Sequence, residues 1–200
     1  MAESNVAVTP GAGKNLHTWS RVIGATTVED EVVLPGEHYV ASYVAITAAA
    51  SVATANDHVF QLMAGGTLNV RIRRIRIMQR ALTSAVGLVT LDLLRLTTAG
   101  TGGTVITARP YDSGDAGAGA AGMSIPTVKG TEGVVLHRFD FAAIQTAPIV
   151  TPPIIWESHP SMKPIIILAG AANGIALKVI TAAAAMTVDI DVEFTETSFL

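Results

Sequence analysis

Strict alternation of polar and apolar side chains marks the C-terminal segment Thr187-Val188-Asp189-Ile190-Asp191-Val192-Glu193-Phe194-Thr195. A period of two places all of its apolar side chains on one face of an extended strand. The segment therefore predicts a half-buried β-strand whose other face carries three carboxylates. Because like charges side by side repel each other, we expect solvent or a basic neighbour against that face.

A second alternating segment is Asn69-Val70-Arg71-Ile72-Arg73-Arg74-Ile75-Arg76-Ile77, but its phase changes at the central pair of arginines. One extra residue in a strand has this effect, so the pattern predicts a β-bulge near Arg73. A strand that bends from one sheet into another is the alternative. Residues 88–98 change phase in a similar way between Leu93 and Leu94. The two segments together predict a bent antiparallel pair.

Seven further segments have the composition of short strands, and turn signals rich in Gly, Pro and Asn separate them. They are residues 39–46, 59–63, 104–108, 133–138, 154–157, 165–168 and 175–181. Helix is sparse, and its best candidate is the short segment 141–145. Many short strands separated by turns predict an all-β protein, either an antiparallel β-sandwich or a barrel, and we expect the sandwich.

Two segments are less regular than the rest. Residues 1–35 contain few strand signals and predict an extended N-terminal arm that packs on a neighbouring subunit, which leaves residues 36–200 for the sandwich domain. Residues 109–132 are rich in Gly and Ala and predict a long flexible loop. Loops of this length are usually functional or mobile.

The chain carries unusually little charge for its size. Only 14% of its 200 residues are Asp, Glu, Lys or Arg, while 50% are hydrophobic; a soluble domain is typically about a quarter charged. No segment approaches the roughly 18 unbroken apolar residues of a spanning helix, so the composition argues against a membrane protein. We therefore expect much of the surface to be covered by other subunits in a homo-oligomer.

Net charge, cysteine content and the N-terminal residues limit the possible partners, metal sites and cellular location. The net charge of −3 and the lack of a basic tail argue against binding to nucleic acid. There is no cysteine, so disulfides and thiolate metal sites are excluded. The N-terminal residues lack the apolar core of a secretory signal, so we expect synthesis in the cytoplasm.

No motif predicts an active site or a cofactor. Residues 117–122 match the form G-x-G-x-x-G, but the strand and helix that a nucleotide site requires do not flank them. The five histidines lack metal-ligand spacing, although His58 beside Asp57 and His159 near Glu157 suit local hydrogen bonds. Asp112 and Asp115 give a minor hypothesis of calcium binding. We therefore predict no catalytic residue, no metal and no cofactor.

The arginine-rich segment and the acidic strand are the candidate interface. Arginine forms bidentate pairs with carboxylates, so the two sets suit each other, either within one chain or between subunits. Contact with an acidic partner surface is the alternative for the arginines. The predicted interface residues are Arg71, Arg73, Arg74, Arg76, Asp189, Asp191 and Glu193.

Parts of residues 36–140 resemble virion proteins of tailed bacteriophages. The similar stretches are Asn56-Asp57-His58-Val59-Phe60-Gln61-Leu62-Met63-Ala64-Gly65, leading into residues 70–75, and residues 94–104, leading into residues 111–116. Such proteins tend to carry a strand ending in Arg, a Thr/Gly turn and an acidic loop of small residues. The resemblance implies a capsid decoration or cement protein with a jelly-roll-like sandwich, often trimeric, that binds the major capsid protein of the shell.

The leading hypothesis is a non-enzymatic virion structural protein that decorates or stabilises a phage capsid through contacts between subunits. It would be made in the host cytoplasm and reside in the virion. The alternative is a head-fibre or tail component that binds carbohydrate or a receptor, since sugar sites use exposed aromatic rings. The available aromatic residues are Trp19, Trp156, Tyr39, Tyr43 and Tyr111. An enzyme is the third hypothesis and has no residue set to support it.

Overall fold

A computed structural model of the protein describes residues 18–23, 26–31, 41–81, 87–143, 152–159, 161 and 163–198. These residues form fourteen β-strands and, within the described ranges, no helix. The chain divides into two compact units, Met1–Tyr39 and Val40–Leu200.

The first unit contains an antiparallel hairpin of β1 (Thr18–Ile23) and β2 (Thr26–Glu31). Thr18 is paired with Glu31 at the open end, and Ile23 with Thr26 at the turn. The hairpin lies inside the predicted N-terminal arm. The other residues of that arm lie outside the described part of the chain, so its packing on a neighbour remains a prediction.

The second unit is an antiparallel β-sandwich, which confirms the predicted fold class. Its strands are β3 (Ser42–Ser51), β4 (His58–Met63), β5 (Asn69–Ala81), β6 (Gly87–Leu96), β7 (Thr104–Ile106), β8 (Arg109–Pro110), β9 (Ala121–Ser124), β10 (Glu132–Ala143), β11 (Ile154–Glu157), β12 (Ile165–Ile167), β13 (Gly174–Thr181) and β14 (Thr187–Thr197). The first sheet has the order β11-β5-β14-β3-β8, and β12 also pairs with β5. The second sheet has the order β10-β6-β13-β4-β9-β7.

The pairing of the longer strands is nested. β3 pairs with β14, and β4 pairs with β13. β5 pairs with β11 and β12, and β6 pairs with β10. Because β3, β4, β5 and β6 alternate between the two sheets, each nested pair lies in the sheet opposite to the next one.

The core lies between the two sheets and is built from the predicted alternation. Every second side chain of β14 from Val188 to Phe194 is at most 1% exposed, which confirms the strand predicted from residues 187–195. Burying such side chains contributes about 1.5–3 kcal/mol each. The largest fully buried side chains come from both sheets and include Phe60, Leu62, Ile72, Ile75, Leu91, Leu93, Ile175 and Leu177.

The predicted bulge lies at Arg73. Along β14, Glu193 is opposite Arg74 and the next residue, Phe194, is opposite Ile72. Arg73 is therefore the extra residue of β5, and the prediction is confirmed. The bulge brings Ile72 and Ile75 onto the same face, where both are fully buried.

The predicted pairing of the two phase-changing segments is wrong. β5 belongs to the first sheet, whereas β6 belongs to the second and pairs with β10 and β13. The alternation in β6 is regular, and its register with β13 continues unbroken through Leu93 and Leu94. Leu94 and Leu96 are buried in a separate cluster with Met63 and Ala176. The apparent change of phase arises because both faces of β6 are covered there.

The predicted helix at 141–145 is also wrong for the residues that the structure describes. Residues 141–143 continue β10, where Phe141 pairs with Val89 and Ala143 with Gly87. Pairing with β6 supplies backbone hydrogen bonds over this stretch, and tertiary context of this kind overrides weak local preference. Residues 144 and 145 lie outside the described part.

The Gly-rich segment 109–132 is not one continuous loop. β8 and β9 lie within it; β8 is the last strand of the first sheet, and β9 lies between β4 and β7 in the second. Gly122 sits in β9 opposite Leu62 and Ile106, and a Cβ added there would approach the Cβ of Ile106 to 3.0 Å. Small residues in this segment therefore serve close strand packing as well as turns.

Candidate interaction surfaces

The predicted arginine and carboxylate sets meet on the outer face of the first sheet. β5 and β14 are neighbours there, and the register places Arg74 opposite Glu193 and Arg76 opposite Asp191. Arg74 donates a hydrogen bond to Glu193. The Nε atom of Arg76 donates to Oδ2 of Asp191 at 2.8 Å. These pairs form within one chain, so the sheet itself neutralises its ladder of carboxylates.

Electrostatics within this ion-pair ladder follow from the contacts. The hydrogen bond to Glu193, together with its charge, raises the pKa of the Arg74 guanidinium. A further pair extends the ladder, since Nη1 of Arg80 lies 3.2 Å from Oδ1 of Asp189. Arg80 was not among the predicted interface residues.

Not all of the predicted interface residues join the ladder in the same way. Arg71 lies opposite Thr195. Arg73 is the bulge residue, and its carbonyl accepts a hydrogen bond from the Ser158 amide at 2.9 Å. Whether any of these residues contacts a partner stays a prediction.

A buried carboxylate holds the Gly-rich segment. Glu196, which is 6% exposed, accepts hydrogen bonds from the amides of Gly119 at 2.9 Å and Ala120 at 2.6 Å. The Tyr43 hydroxyl donates to the carbonyl of Ala116 at 3.1 Å. A phosphate would need such amides as donors. Because Glu196 already occupies them, the G-x-G-x-x-G segment does not fit a nucleotide site.

The two aspartates of this segment have a structural arrangement. Asp112 Oδ1 accepts a hydrogen bond from the Gly114 amide at 2.8 Å, as in an Asx-turn. Within the described ranges, no group of three or more His, Asp or Glu side chains is placed to hold a metal ion. The calcium hypothesis for Asp112 and Asp115 therefore gains no additional ligand from these residues.

Sequence reasoning missed a polar cluster around His58 in the second sheet. His58 is fully buried, and its Nε2 lies 3.1 Å from Oε1 of Glu132. Lys178 donates to the other oxygen of Glu132 at 2.7 Å. Burial lowers the pKa of His58, although the contact with Glu132 acts in the opposite direction. The partner of His58 is thus Glu132 and not the adjacent Asp57.

A bidentate ion pair lies in the same sheet. Asp92, which is 3% exposed, accepts hydrogen bonds from Nε and Nη2 of Arg138 at 2.6 and 2.9 Å. The register places the two residues directly opposite each other on β6 and β10. The signal in the sequence was a lone acid within the apolar run of residues 88–96. The distant basic residue carried no matching signal.

One flank of the sandwich has a groove with a mixed polar and apolar lining. β7 is the outermost strand of the second sheet, and β8 is outermost in the first. A groove of about 630 Å³ lies between β3 and β7, and we call it the flank groove. Its lining residues are Val44, Ile46, Thr47, Ala48, Thr104, Val105, Ile106, Thr107, Arg109, Ser124 and Ile125.

Apolar side chains are exposed along the flank groove. Val105 is 72% exposed, Ile46 is 53% exposed and Ile125 is 40% exposed. Ile125 also has a φ of 45°, a left-handed conformation that β-branched residues rarely adopt. Backbone strain of this kind tends to occur at functional positions. None of these residues was singled out by the sequence patterns.

The aromatic residues considered for sugar binding occupy different environments. Tyr43 is 3% exposed and stacks on Phe194, and Trp156 packs against the core. Tyr111 is 60% exposed, and partial burial together with a hydrogen bond to Glu193 raises its pKa. Trp19 lies in β1 of the other unit, and Tyr39 lies outside the described residues.

Comparisons with known proteins give no relative from which the role of these surfaces could be inferred. No protein-family model matches the chain, and no curated protein or solved structure matches it either. The described part of the chain contains no helix that is long and apolar enough to cross a membrane.

Proposed function

We propose that the protein is a non-enzymatic virion structural subunit that decorates or stabilises the capsid of a tailed phage. The phage setting is proposed from the resemblance that the sequence patterns of residues 56–65 and 94–104 bear to virion proteins. The low charge of the chain supports assembly with other subunits. The observation that carries the proposal is the flank groove, where exposed apolar side chains lie beside two sheet edges.

Sister subunits are the proposed occupants of the flank groove. An exposed apolar patch next to unpaired edge strands favours association and requires cover. Closed cyclic symmetry satisfies every such patch at once, and a trimer is the arrangement we propose. The remaining surface would then contact the major capsid protein, with many weak copies acting together.

A jelly-roll arrangement of the sandwich belongs to the same proposal. The nested pairing of β3 with β14, β4 with β13, β5 with β11 and β12, and β6 with β10 supports it. A long antiparallel ribbon that rolls up into two sheets has this pairing, and jelly rolls occur in viral capsid proteins. The strands β7, β8 and β9 would then be an insertion between β6 and β10.

Sedimentation velocity of the purified full chain tests the proposed assembly. We expect a single oligomer at micromolar concentration, and we expect Val105→Lys to shift it to a smaller species. Val134→Lys is the matched control, because Val134 is 69% exposed at the opposite edge of the same sheet. A monomeric wild type would contradict the assembly, and an unaffected Val105→Lys oligomer would contradict the role of the groove.

The phage setting requires a separate measurement. In electron micrographs, an antibody against the purified chain should label the heads of the phage particles that encode this sequence. Labelling confined to tails or fibres would instead favour the alternative of a receptor-binding component. Tyr111 supports that alternative, because it is exposed beside Arg74 and Glu193, but a sugar platform usually needs more than one such ring.

A further inference from the structure

A cleft at one end of the sandwich combines two cations with an apolar wall. Its volume is about 440 Å³, within the range of roughly 300–1,000 Å³ common for small-molecule sites. It lies next to β6, β12 and the turn before β13. The lining residues are Arg95, Leu96, Lys163, Pro164, Ile166, Leu168, Asn173 and Gly174, and none of them is acidic.

Arg95 brings a half-buried guanidinium to this cleft. It extends from β6 and donates from Nη1 to the carbonyl of Ile166 at 2.5 Å, which joins the second sheet to the first. Within the described residues, Arg95 forms no ion pair with a carboxylate. A guanidinium has five N–H donors, so one contact to a carbonyl leaves most of them available.

Burial without a counter-charge distinguishes Arg95 from the other arginines. Burial lowers the pKa of Arg95. Arg74, Arg76 and Arg138, by contrast, each pair with a carboxylate of the same chain. Taking a cation out of water without a partner is costly, so the site favours an anion that supplies one.

The other residues of the cleft add a second charge and fixed polar groups. Lys163 is exposed at its rim, and its ammonium pairs with no acidic residue in the described ranges. The backbone of Asn173 is held on both sides, since its amide donates to the Gly170 carbonyl at 2.9 Å and its carbonyl accepts from the Ala64 amide at 2.9 Å. Its Nδ2 also donates to the Ala169 carbonyl at 3.2 Å, so Asn173 is fixed in the lining and the positive charge for an anion comes from Arg95 and Lys163.

We propose that this cleft binds a small carboxylate that carries a short aliphatic tail. The guanidinium of Arg95 matches the two oxygens of a carboxylate, and Lys163 adds a second positive charge. The tail would lie on the apolar wall formed by Leu96, Pro164, Ile166 and Leu168. This site is independent of the flank groove and of the proposed assembly.

Nuclear magnetic resonance of the ¹⁵N-labelled full chain tests the proposal, with hexanoate, hexanol and inorganic phosphate as probes. Hexanoate should give saturable shifts at Arg95, Asn173 and Gly174, with a dissociation constant on the order of 1 mM. Hexanol, which has the same chain length without the charge, should not saturate. Phosphate should bind more weakly than hexanoate, because it cannot use the apolar wall.

Two variants and a control assign the binding to the cleft. Lys163→Gln should lower the affinity for hexanoate about three- to tenfold, because one charge-assisted contact is lost. Arg95→Lys keeps the charge but loses the planar fork, and it should weaken binding about tenfold or more. Lys129→Gln, which removes an exposed lysine outside the cleft lining, should leave the affinity unchanged.

Several results would overturn the assignment. They are the absence of saturable hexanoate binding, equal binding of hexanol, preference for phosphate, or an affinity that Lys163→Gln does not change. Well-dispersed spectra of the variants would establish that they fold, so a loss of binding in Arg95→Lys is then a loss at the site.

Discussion

At the scale of single residues, His58 is the buried group whose environment depends most directly on pH. Its ring is fully buried and contacts Glu132, while the Nδ1 atom has no hydrogen-bond partner. A neutral ring that carries its proton on Nε2 satisfies this geometry, because Nε2–H then donates to the carboxylate. Protonation would place a second buried N–H where no acceptor lies.

Stability should therefore fall on acidification in two separate steps. Burial lowers the pKa of His58 below its ordinary value of 6.5, so the unfolded chain takes up the proton first and stability falls as the pH drops below about 6.5. Burial raises the pKa of Glu132, but its bonds to Lys178 and His58 outweigh this, and the net pKa lies below 4.5. The contribution of Glu132 to the free energy of unfolding is therefore present above pH 4.5 and is lost only at lower pH.

We predict that His58→Gln removes the upper step and retains the lower one. In urea unfolding of the wild type, the free energy of unfolding should fall by up to about 1.4 kcal/mol per pH unit between pH 7.5 and 5, because this single proton is taken up on unfolding. His137→Gln, at an exposed position on β10, is the control and should keep the full dependence. An unchanged upper step in His58→Gln would assign the titration to another group.

At the scale of elements, the bulge of β5 reconciles two halves of one long strand. β5 spans Asn69–Ala81 and pairs with β14 along its length, with one register shift at Arg73 and a second at Arg80 near its end. The extra residue puts Ile72 and Ile75 on the core face and keeps Arg74 and Arg76 opposite their carboxylates. Without a bulge, the sequence of β5 would expose one half of its apolar side chains.

Deletion of Arg73 should consequently be tolerated better than deletion of Arg76. Removing Arg73 leaves Ile72 and Ile75 two positions apart, so the apolar side chains stay on one face. Removing Arg76 places Ile75 next to Ile77 and turns one half of the strand outward. Burial of several large side chains is then lost, at about 1.5–3 kcal/mol each.

Far-UV circular dichroism and urea unfolding would separate the two deletions. We expect the Arg73 deletion to unfold cooperatively, with a moderate decrease in the free energy of unfolding because the hydrogen bond from the Ser158 amide to the Arg73 carbonyl is lost. For the Arg76 deletion we expect no cooperative transition. Equal behaviour of the two variants would show that the register of β5 does not depend on the bulge.

At the scale of the whole molecule, the described charges are largely paired inside the chain. Arg74, Arg76 and Arg80 pair with β14, and Arg138 pairs with β6. The pairs of Arg74 and Arg80 are partly exposed on both sides, and such pairs contribute little to stability, about 0–1 kcal/mol each. Their main consequence is that the outer face of the first sheet presents a nearly neutral surface to any partner.

Association between subunits should therefore depend weakly on salt. If the flank groove holds the oligomer, raising sodium chloride from about 0.05 M to about 1 M should leave its sedimentation coefficient unchanged or favour association. Dissociation at high salt would instead indicate that the ladder arginines pair with carboxylates of a neighbour. Arg76→Gln sedimented under the same conditions provides the matched comparison.

Local patterns predicted the strands well because alternation is a property of neighbouring residues. The strand at 187–195, the bulge at Arg73 and the all-β class all follow from such alternation. The ion-pair ladder was foreseen as one of two arrangements, since complementary residues lay on two alternating segments. Tertiary contacts resolved it in favour of pairs within one chain.

The sequence by itself determined the all-β class and the apolar faces of its strictly alternating strands, such as residues 187–195, because both depend on a period of two along the chain. Only the tertiary structure decided which strands are neighbours, and it separated β5 from β6 and buried both faces of β6. It also decided the contact of His58 with Glu132, the hydrogen bonds from the Gly-rich segment to Glu196 and the cleft at Arg95. These sites join residues that are far apart in the chain, and no local periodicity encodes such a meeting.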